Sequence, residues 1–317
     1  MRALAPKPAP NVGHTSRIRF KRILFATDLE GSSTSAQSYA VVLAKMFGAH
    51  LFVLYVQTPG FSPRYQKAFV SGGRWDEARA IAELGDFFRS SQVPFTLLVE
   101  PGEVREVLNQ VIDNNSIDLV ILGTHGRKGL SRALMGSMAE QVSRSSICPV
   151  ITVGPLARAG FENSLRTIVY VTDFSEESRL ALPYAISLAQ EFHAELTAMH
   201  VAPQHMVRDR VAAEMYLMNR LKSLAPQSNF PWCRLKHRVE FGDAGREILS
   251  VAKDQNADLI VMGLHSSVQF TSHFPERLAY SIMCEAPCPV MSVLPSPREL
   301  KLAKLSANAL VLAGHLN

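Results

Sequence analysis

The segment of this chain with the clearest chemical potential is a glycine-rich loop over residues 123–137. Its glycines and the residue that closes it are Gly123, Gly126, Gly129, Gly136 and Ser137. Its basic side chains are Arg127, Lys128 and Arg132. Glycines let backbone N–H groups approach an anion closely, and the basic side chains add positive charge nearby. The loop leads into a helix predicted over 137–145, which opens with the capping-box pair Ser137 and Glu140. The N-terminus of a helix is itself a binding site for anions. These features predict a site for a polyphosphate.

A second polar group is expected beside this loop. Asp28 directly follows the apolar run Ile23–Thr27, which is typical of a buried strand. Ligands of open parallel sheets lie beyond the carboxyl ends of the strands, where Asp28 would accept hydrogen bonds from a sugar hydroxyl or a base amine. Two plainer interpretations stay open: the glycine loop is an ordinary turn, and Asp28 caps the next helix. The loop matches neither a Walker A motif nor the G-x-G-x-x-G dinucleotide fingerprint.

An internal repeat determines how the chain is organised. Residues 119–153 align without gaps with residues 259–293, an offset of 140 that brings Cys148-Pro-Val onto Cys288-Pro-Val. Residues 23–28 align with 168–173 at an offset of 145. The length difference falls in the variable stretches between these blocks. The chain therefore contains two copies of one unit.

Each copy alternates strands with helices. The first copy predicts strands at 23–27, 51–56, 95–99, 119–122 and 150–153, with helices at 35–47, 104–112 and 137–145. The second predicts strands at 167–171, 195–201, 236–240, 259–262 and 289–293, with helices at 178–192, 244–253 and 276–284. Strands that are apolar on both faces and alternate with helices indicate a parallel sheet covered on both sides. The predicted fold class is α/β, with two tandem doubly wound domains of five parallel strands.

Composition and charge suggest domain limits and narrow the function. We expect a disordered lead over 1–20, domains over 21–155 and 165–295, and a C-terminal tail over 296–317.

Of the 33 basic and 28 acidic residues, nine basic and one acidic lie in residues 1–22 and 297–317, so the remaining body has a net charge of −3. A basic face for nucleic acid is therefore not expected. No stretch reaches the ~20 apolar residues of a membrane span, and prolines interrupt any N-terminal export signal.

The motifs together resemble the universal stress protein family. The resemblance rests on Gly123-x2-Gly126-x9-Gly136-Ser137, the aspartate that closes the first strand, and the Cys-Pro-Val that opens the fifth. It covers roughly residues 20–295 as a tandem member. It implies a Rossmann-like sheet in the order 3-2-1-4-5 that binds ATP or another adenine nucleotide, with Mg²⁺ able to bridge the phosphates. The function it implies is that of a cytoplasmic regulatory protein of the stress response.

The resemblance also assigns binding residues by motif position. The strand-1 contacts would be Ala26, Thr27 and Asp28, and the adenine contact after strand 2 would be Val56. The phosphate loop would begin at Leu122, Gly123, Gly126 and the charged Arg127, and it would end at Gly136, Ser137 and Met138.

The second copy departs from this pattern. It keeps Thr172, Asp173, Val201 and Gly263, but it has Ser266, Gln269, Glu276 and Arg277 where the first copy has Gly126, Gly129, Gly136 and Ser137. A carboxylate at 276 would repel phosphates, so we expect the second copy to bind nucleotide weakly or not at all. The alternative is that Arg277 pairs with a phosphate and restores binding.

Other features suggest further expectations. Val150–Val153 and Val290–Val293 would pair as an intrachain pseudo-dimer, with a homodimer of whole chains still open. The stretches Pro63–Arg79 and 203–220 would form flaps over the ligand crevice or over the partner domain. Pro287 would end the helix between Cys284 and Cys288 and leave them as buried free thiols, not a metal pair.

Two functions compete with nucleotide-dependent regulation. One is a protein-interaction scaffold in which nucleotide plays no part. The other is a slow ATP hydrolase. The S-G-G-x-D-S loop of related hydrolases is absent, because the nearest match, 71–76, follows no predicted strand and lacks the closing serine.

Overall fold

The computed structural model describes residues 18–29, 34–57, 77–124, 139, 142, 146, 148–158, 164–204, 209–224, 234–264 and 276–294. These residues form ten strands. In the first half they are β1 (Arg22–Thr27), β2 (His50–Gln57), β3 (Phe95–Pro101), β4 (Leu119–Gly123) and β5 (Val150–Val153). In the second half they are β6 (Thr167–Val171), β7 (Glu195–Ala202), β8 (Arg234–Phe241), β9 (Leu259–Gly263) and β10 (Val290–Val293).

The same residues form seven helices. The first half contributes α1 (Thr34–Phe47), α2 (Glu77–Ser90) and α3 (Val104–Asn115). The second half contributes α4 (Glu176–Phe192), α5 (Arg210–Leu224), α6 (Ala244–Asp254) and α7 (Glu276–Glu285). The repeat predicted from the sequence therefore appears as two β-α series that share the order of their first four strands and first three helices, while α7 precedes the fifth strand of the second half.

All ten strands join one sheet in the order β3-β2-β1-β4-β5-β10-β9-β6-β7-β8. Each half has the order 3-2-1-4-5, and every pairing within a half is parallel. The halves meet where β5 and β10 pair antiparallel, with Ile151 opposite Met291. This confirms the predicted fold class and the predicted pairing of the two fifth strands.

The strands are buried on both faces, as parallel strands between helix layers must be. In β1, Ile23 and Phe25 enter a core cluster with residues of α1, α2 and α4. Leu24 and Ala26 enter the cluster on the opposite face, with residues of α3, α6 and α7. Alternate residues of one apolar run therefore serve both layers.

Contacts outside the sheet also hold the halves together. The backbone N–H of Ile18 donates to the Ser187 hydroxyl of α4 at 2.7 Å, and the ring of Phe20 stacks on Tyr184 at 6.4 Å between centroids. In the connection after β5, the Arg158 guanidinium donates to the carbonyl oxygens of Asn256 and Ala257 at 2.8 and 2.7 Å. The connection is thus anchored on the second half.

The expectation of a flap is wrong for the described part of the second stretch, whereas the first stretch lies outside the described residues except for 77–79. Residues 77–79 belong to α2, and residues 210–220 belong to α5, which packs on β7 and β8. Leu221 of α5 is fully buried in a small cluster with Phe174, Val239 and Phe241. The charged residues Asp209, Arg210, Glu214 and Arg220 of the second stretch are exposed, which is why the sequence alone suggested a free segment.

Candidate functional site

The ends of β2, β1 and β4 bring the predicted contacts of the first half to one edge of the sheet. Ala26 is paired with Leu54 of β2 on one side and with Leu122 of β4 on the other. One residue further, Thr27 is level with Gly123, and Asp28 then emerges level with Val56. The sequence-predicted residues Ala26, Thr27, Asp28, Val56, Leu122 and Gly123 therefore converge on one crevice.

Burial limits what each of these residues can offer a ligand. Ala26 and Leu122 are buried in the core, so their side chains serve packing and only their backbone faces the crevice edge. Val56 is 9% exposed, and Asp28 is half-buried. The polar chemistry of the described crevice therefore lies chiefly with Asp28. The other predicted loop residues lie outside the described residues: Gly126, Arg127, Gly136, Ser137 and Met138.

A tight turn follows β1 and places Asp28. The backbone N–H of Leu29 donates to the Thr27 hydroxyl at 3.1 Å, and Leu29 has a positive φ of 61°. The second half has the same turn: Phe174 donates to the Thr172 hydroxyl at 2.9 Å and has a φ of 64°. The repeat thus preserves a strained backbone at the crevice edge even where the neighbouring side chains differ.

The aspartate of the second half is engaged within its own loop. The Asp173 carboxylate accepts from the backbone N–H of Ser175 at 2.9 Å and from its hydroxyl at 2.5 Å. Ser175 in turn caps α4, because its hydroxyl accepts from the backbone N–H of Ser178 at 3.1 Å. In this half the plainer interpretation holds, since the aspartate supports a helix cap.

Aromatic and basic side chains fill the end of the second crevice. The ring of Phe174 lies 4.5 Å from that of His200, and Cζ of Arg220 lies 4.2 Å from the centroid of Phe174. His200 is 6% exposed, and its Nδ1 donates to the carbonyl oxygen of Thr172 at 2.8 Å. The first half has the smaller Leu29 at the position of Phe174. In the second half, Phe174, His200 and Arg220 therefore pack on one another beside the ends of β6 and β7.

The glycine that ends β9 has a packing role. A Cβ placed on Gly263 would lie 2.2 Å from the carbonyl oxygen of Glu177, in the first turn of α4. No side chain fits there, because the obstacle is backbone. The retention of this glycine in the second copy is thus explained without any ligand.

A residue that the sequence pattern did not single out lies next to the first crevice. Thr124 follows Gly123, is 1% exposed and donates its backbone N–H to the carbonyl oxygen of Val153 at 2.9 Å. Its hydroxyl donates to the same carbonyl oxygen at 3.4 Å. The aligned counterpart in the second copy, Leu264, is apolar, so the repeat offered no signal for this polar contact.

The cysteines of the described residues are not nucleophiles. Burial raises the pKa of Cys148 to about 11 and that of Cys288 to about 12. Burial also raises the pKa of Cys284. These thiols stay protonated at neutral pH. As expected, Cys284 and Cys288 are free and buried, and α7 ends before Pro287.

Metal and membrane sites find no support in the described part of the chain. Within the described ranges, no group of three or more His, Cys, Asp or Glu side chains is placed to hold a metal ion. No helix among the described residues is long and apolar enough to cross a membrane.

Comparisons with known proteins agree with this architecture. A universal stress protein of Methanocaldococcus jannaschii is 29% identical over 140 residues, which are 42% of this chain and 82% of that protein. One from Mycolicibacterium smegmatis is 26% identical over 206 residues, or 61% of this chain and 68% of that protein. The crystal structure of a universal stress protein from Archaeoglobus fulgidus has a TM-score of 0.59 at 17% identity and covers 87% of this chain and 98% of its own; it shows a shared fold.

The family profile itself matches twice. The universal stress protein family is found over residues 19–154 and again over residues 164–293, so that each match covers one of the two β-α series of the sheet. The chain therefore belongs to the universal stress protein family and carries two of its domains in tandem.

Proposed function

We propose that this protein is a cytoplasmic, stress-response regulatory protein that binds ATP or another adenine nucleotide in the crevice of its first half. The observation that carries the proposal is the register of β2, β1 and β4, which brings Asp28, Val56 and Gly123 to one edge. Gly123 leads directly into the loop whose glycines and basic residues suit a polyphosphate. Adenine and ribose would then lie against Asp28 and Val56.

The contrast between the halves supports assigning the ligand to the first. At the position of Ser175, which donates two hydrogen bonds to Asp173, the first half has Glu30. An ionised glutamate has no side-chain hydrogen to donate, so it cannot hold Asp28 as the serine hydroxyl holds Asp173. The first half also has the smaller Leu29 in place of Phe174.

Binding is better supported than turnover. No group of carboxylates in the described ranges is arranged to hold a metal, so Mg²⁺ would be carried by the phosphates themselves. Among the described crevice residues, Asp28 is the titratable side chain and is assigned to the sugar or base. A slow hydrolase is therefore the weaker alternative, and phosphate release followed over hours would distinguish it from a binder.

The scaffold alternative also has an observation in its favour. The outer face of α5 exposes Val211, Met215 and Tyr216, at 77%, 64% and 65%. The corresponding helix α2 instead carries an exposed ion pair between Arg79 and Glu83. Apolar side chains on an outer helix are typical of a surface that meets another protein.

Isothermal titration of the full chain with Mg-ATP tests the proposal. We expect one site per chain, and we expect Gly136→Glu to abolish binding because the carboxylate would face the phosphates. The matched control is Glu276→Gly, which makes the reverse change in the second half and should leave the affinity unchanged. Absence of heat with the wild-type chain would refute the nucleotide function and favour the scaffold. Unchanged affinity in Gly136→Glu would show that the nucleotide binds elsewhere.

A further inference from the structure

The two outer strands of the sheet differ in how they are protected. Among the described residues, β3 pairs with β2 alone and β8 pairs with β7 alone. An edge strand can bind a further strand through its outward backbone groups, and proteins usually blunt such edges with charged side chains. β8 has Lys236 and Arg238, whereas the aligned residues of β3 are Thr96 and Leu98. Residues 95–99 include no charged side chain at all, so β3 lacks this protection.

The hydrogen bonds between β2 and β3 fix which backbone groups of β3 face outward. The Pro94 carbonyl accepts from the backbone N–H of Leu51 at 2.9 Å, so it faces β2. Successive residues of a strand direct their backbone groups to opposite sides, and the even-numbered residues of β3 therefore serve β2. The N–H and C=O groups that point away from the sheet belong to Phe95, Leu97 and Val99.

These three residues are suited to pair with their own copy. In an antiparallel pair with a two-fold axis at Leu97, Phe95 of each copy lies opposite Val99 of the other, and Leu97 lies opposite itself. Each such pair exchanges both of its hydrogen bonds, which satisfies the outward groups of both strands. On the other face, Thr96 lies opposite Leu98. Every cross-strand pair is uncharged, and a pair of an aromatic with a β-branched residue is favourable.

The same operation applied to β8 meets resistance. It sets Lys236 of one copy opposite Arg238 of the other, and like charges directly opposite each other are destabilising. Both side chains are also ion-paired within their own copy, Lys236 to Glu195 at 2.6 Å and Arg238 to Glu240 at 2.5 Å. A strand laid along β8 would strip water from these pairs. β3 is therefore the edge that can close into a dimer without desolvating ion pairs.

Apolar surface continues from β3 onto α2. Phe87 of α2 is 38% exposed, and its ring lies 5.2 Å from that of Phe88. The ring of Phe88 lies 5.7 Å from that of Phe95, so the aromatic contacts run from the core to the open edge. Arg89 of the same helix is ion-paired with Asp86, which balances its charge. A second copy on this edge would cover apolar side chains as well as backbone.

We propose that two copies of this chain pair antiparallel through β3 and form a homodimer with one continuous sheet. The molecule already contains a joint of this kind, because β5 and β10 join its two halves as antiparallel strands, with Ile151 opposite Met291. That joint uses the inner edges of the halves, so pairing through β3 leaves it intact. The dimer does not depend on the proposed function, since it uses the side of β3 that faces away from the sheet.

Sedimentation equilibrium of the full chain from about 1 to 100 µM tests the dimer. Val99→Pro removes an N–H that faces the second copy and not β2, a position at which an edge strand tolerates proline. We expect the dimer Kd to rise at least about tenfold, because hydrogen bonds across the joint are lost. The matched control is Val239→Pro at the aligned position of β8, which should leave the Kd unchanged. A wild-type chain that stays monomeric, or a Val99→Pro chain that dimerises as tightly as the wild type, would overturn the proposal.

A charge variant keeps the test decisive if Val99→Pro fails to fold, which circular dichroism would reveal. Thr96→Lys gives β3 the lysine that β8 has at 236, and it should raise the dimer Kd more at low salt than at high salt. An unchanged Kd in this variant would contradict pairing through β3.

Hydrogen exchange of the wild-type chain locates the joint directly. The amides of Phe95, Leu97 and Val99 should exchange more slowly at 100 µM than at 1 µM, because each donates to the second copy in the dimer. A dimer that leaves these amides unprotected, and protects the exposed face of α5 instead, would show that the copies meet at another surface and would overturn the assignment.

Discussion

The two crevices of this molecule share a backbone and differ in their side chains. Both have a positive-φ residue after the first strand, held by a threonine hydroxyl two residues earlier. In the second crevice Asp173 is engaged by Ser175, and the ring of Phe174 lies against His200 and beneath the Arg220 guanidinium. The difference teaches that the fold keeps its turn for structural reasons, whereas ligand chemistry depends on a few side chains that can change without disturbing it.

Some residues shared by the two crevices are uninformative about ligands. Gly263 persists in the filled crevice because α4 packs against it. Its counterpart Gly123 cannot by itself be taken as evidence of a phosphate site. The residues that discriminate between the halves are those lost from the second copy, above all Gly136 and its replacement Glu276.

The largest expected effect tests the packing glycine. Gly263→Ala places a Cβ 2.2 Å from a backbone oxygen, so we expect a loss of about 3 kcal/mol in the free energy of unfolding. Denaturant unfolding monitored by circular dichroism measures it. The matched control is Gly85→Ala in α2, where the nearest atom is the flexible Arg89 side chain at 3.5 Å. That change should be neutral or stabilising by up to about 1 kcal/mol. Equal stability of the two variants would contradict the packing role.

The paired aspartates give the next effect. Asp28→Ala should weaken Mg-ATP binding at least about tenfold, because hydrogen bonds to a charged group are lost. Asp173→Ala should leave the affinity unchanged and lower the free energy of unfolding by about 1 kcal/mol, because Ser175 loses its acceptor. Titration calorimetry and denaturant unfolding of both variants measure these outcomes. If Asp173→Ala weakened ATP binding as much as Asp28→Ala, the assignment of one site to the first half would fail.

The smallest effect concerns the filling of the second crevice. Phe174→Leu introduces the residue that the first half has at this position and removes the ring that lies against His200 and Arg220. We expect a loss of about 1 kcal/mol in the free energy of unfolding. The stoichiometry of ATP should stay at one per chain, because the variant still has Glu276 and still lacks the loop glycines of the first half. A second binding event in this variant would show that Phe174 alone closes the crevice.

Much of the architecture follows from the sequence. Apolar runs buried on both faces predict parallel strands, and the two offsets of 140 and 145 predict two copies of one unit. Pro287 predicts the end of α7, since proline cannot continue a helix. These conclusions depend on local patterns or on the similarity of the two copies. Both can be read from the sequence without knowing which elements pack together.

Only the tertiary structure decided how distant residues meet. The sequence did not reveal that Phe174 lies against His200 and Arg220, or that Gly263 packs against the backbone of Glu177. It mistook part of α5, which packs on β7 and β8, for a flap. Periodicity reports which side of an element is buried, whereas the identity of the neighbour depends on the packing of all elements together.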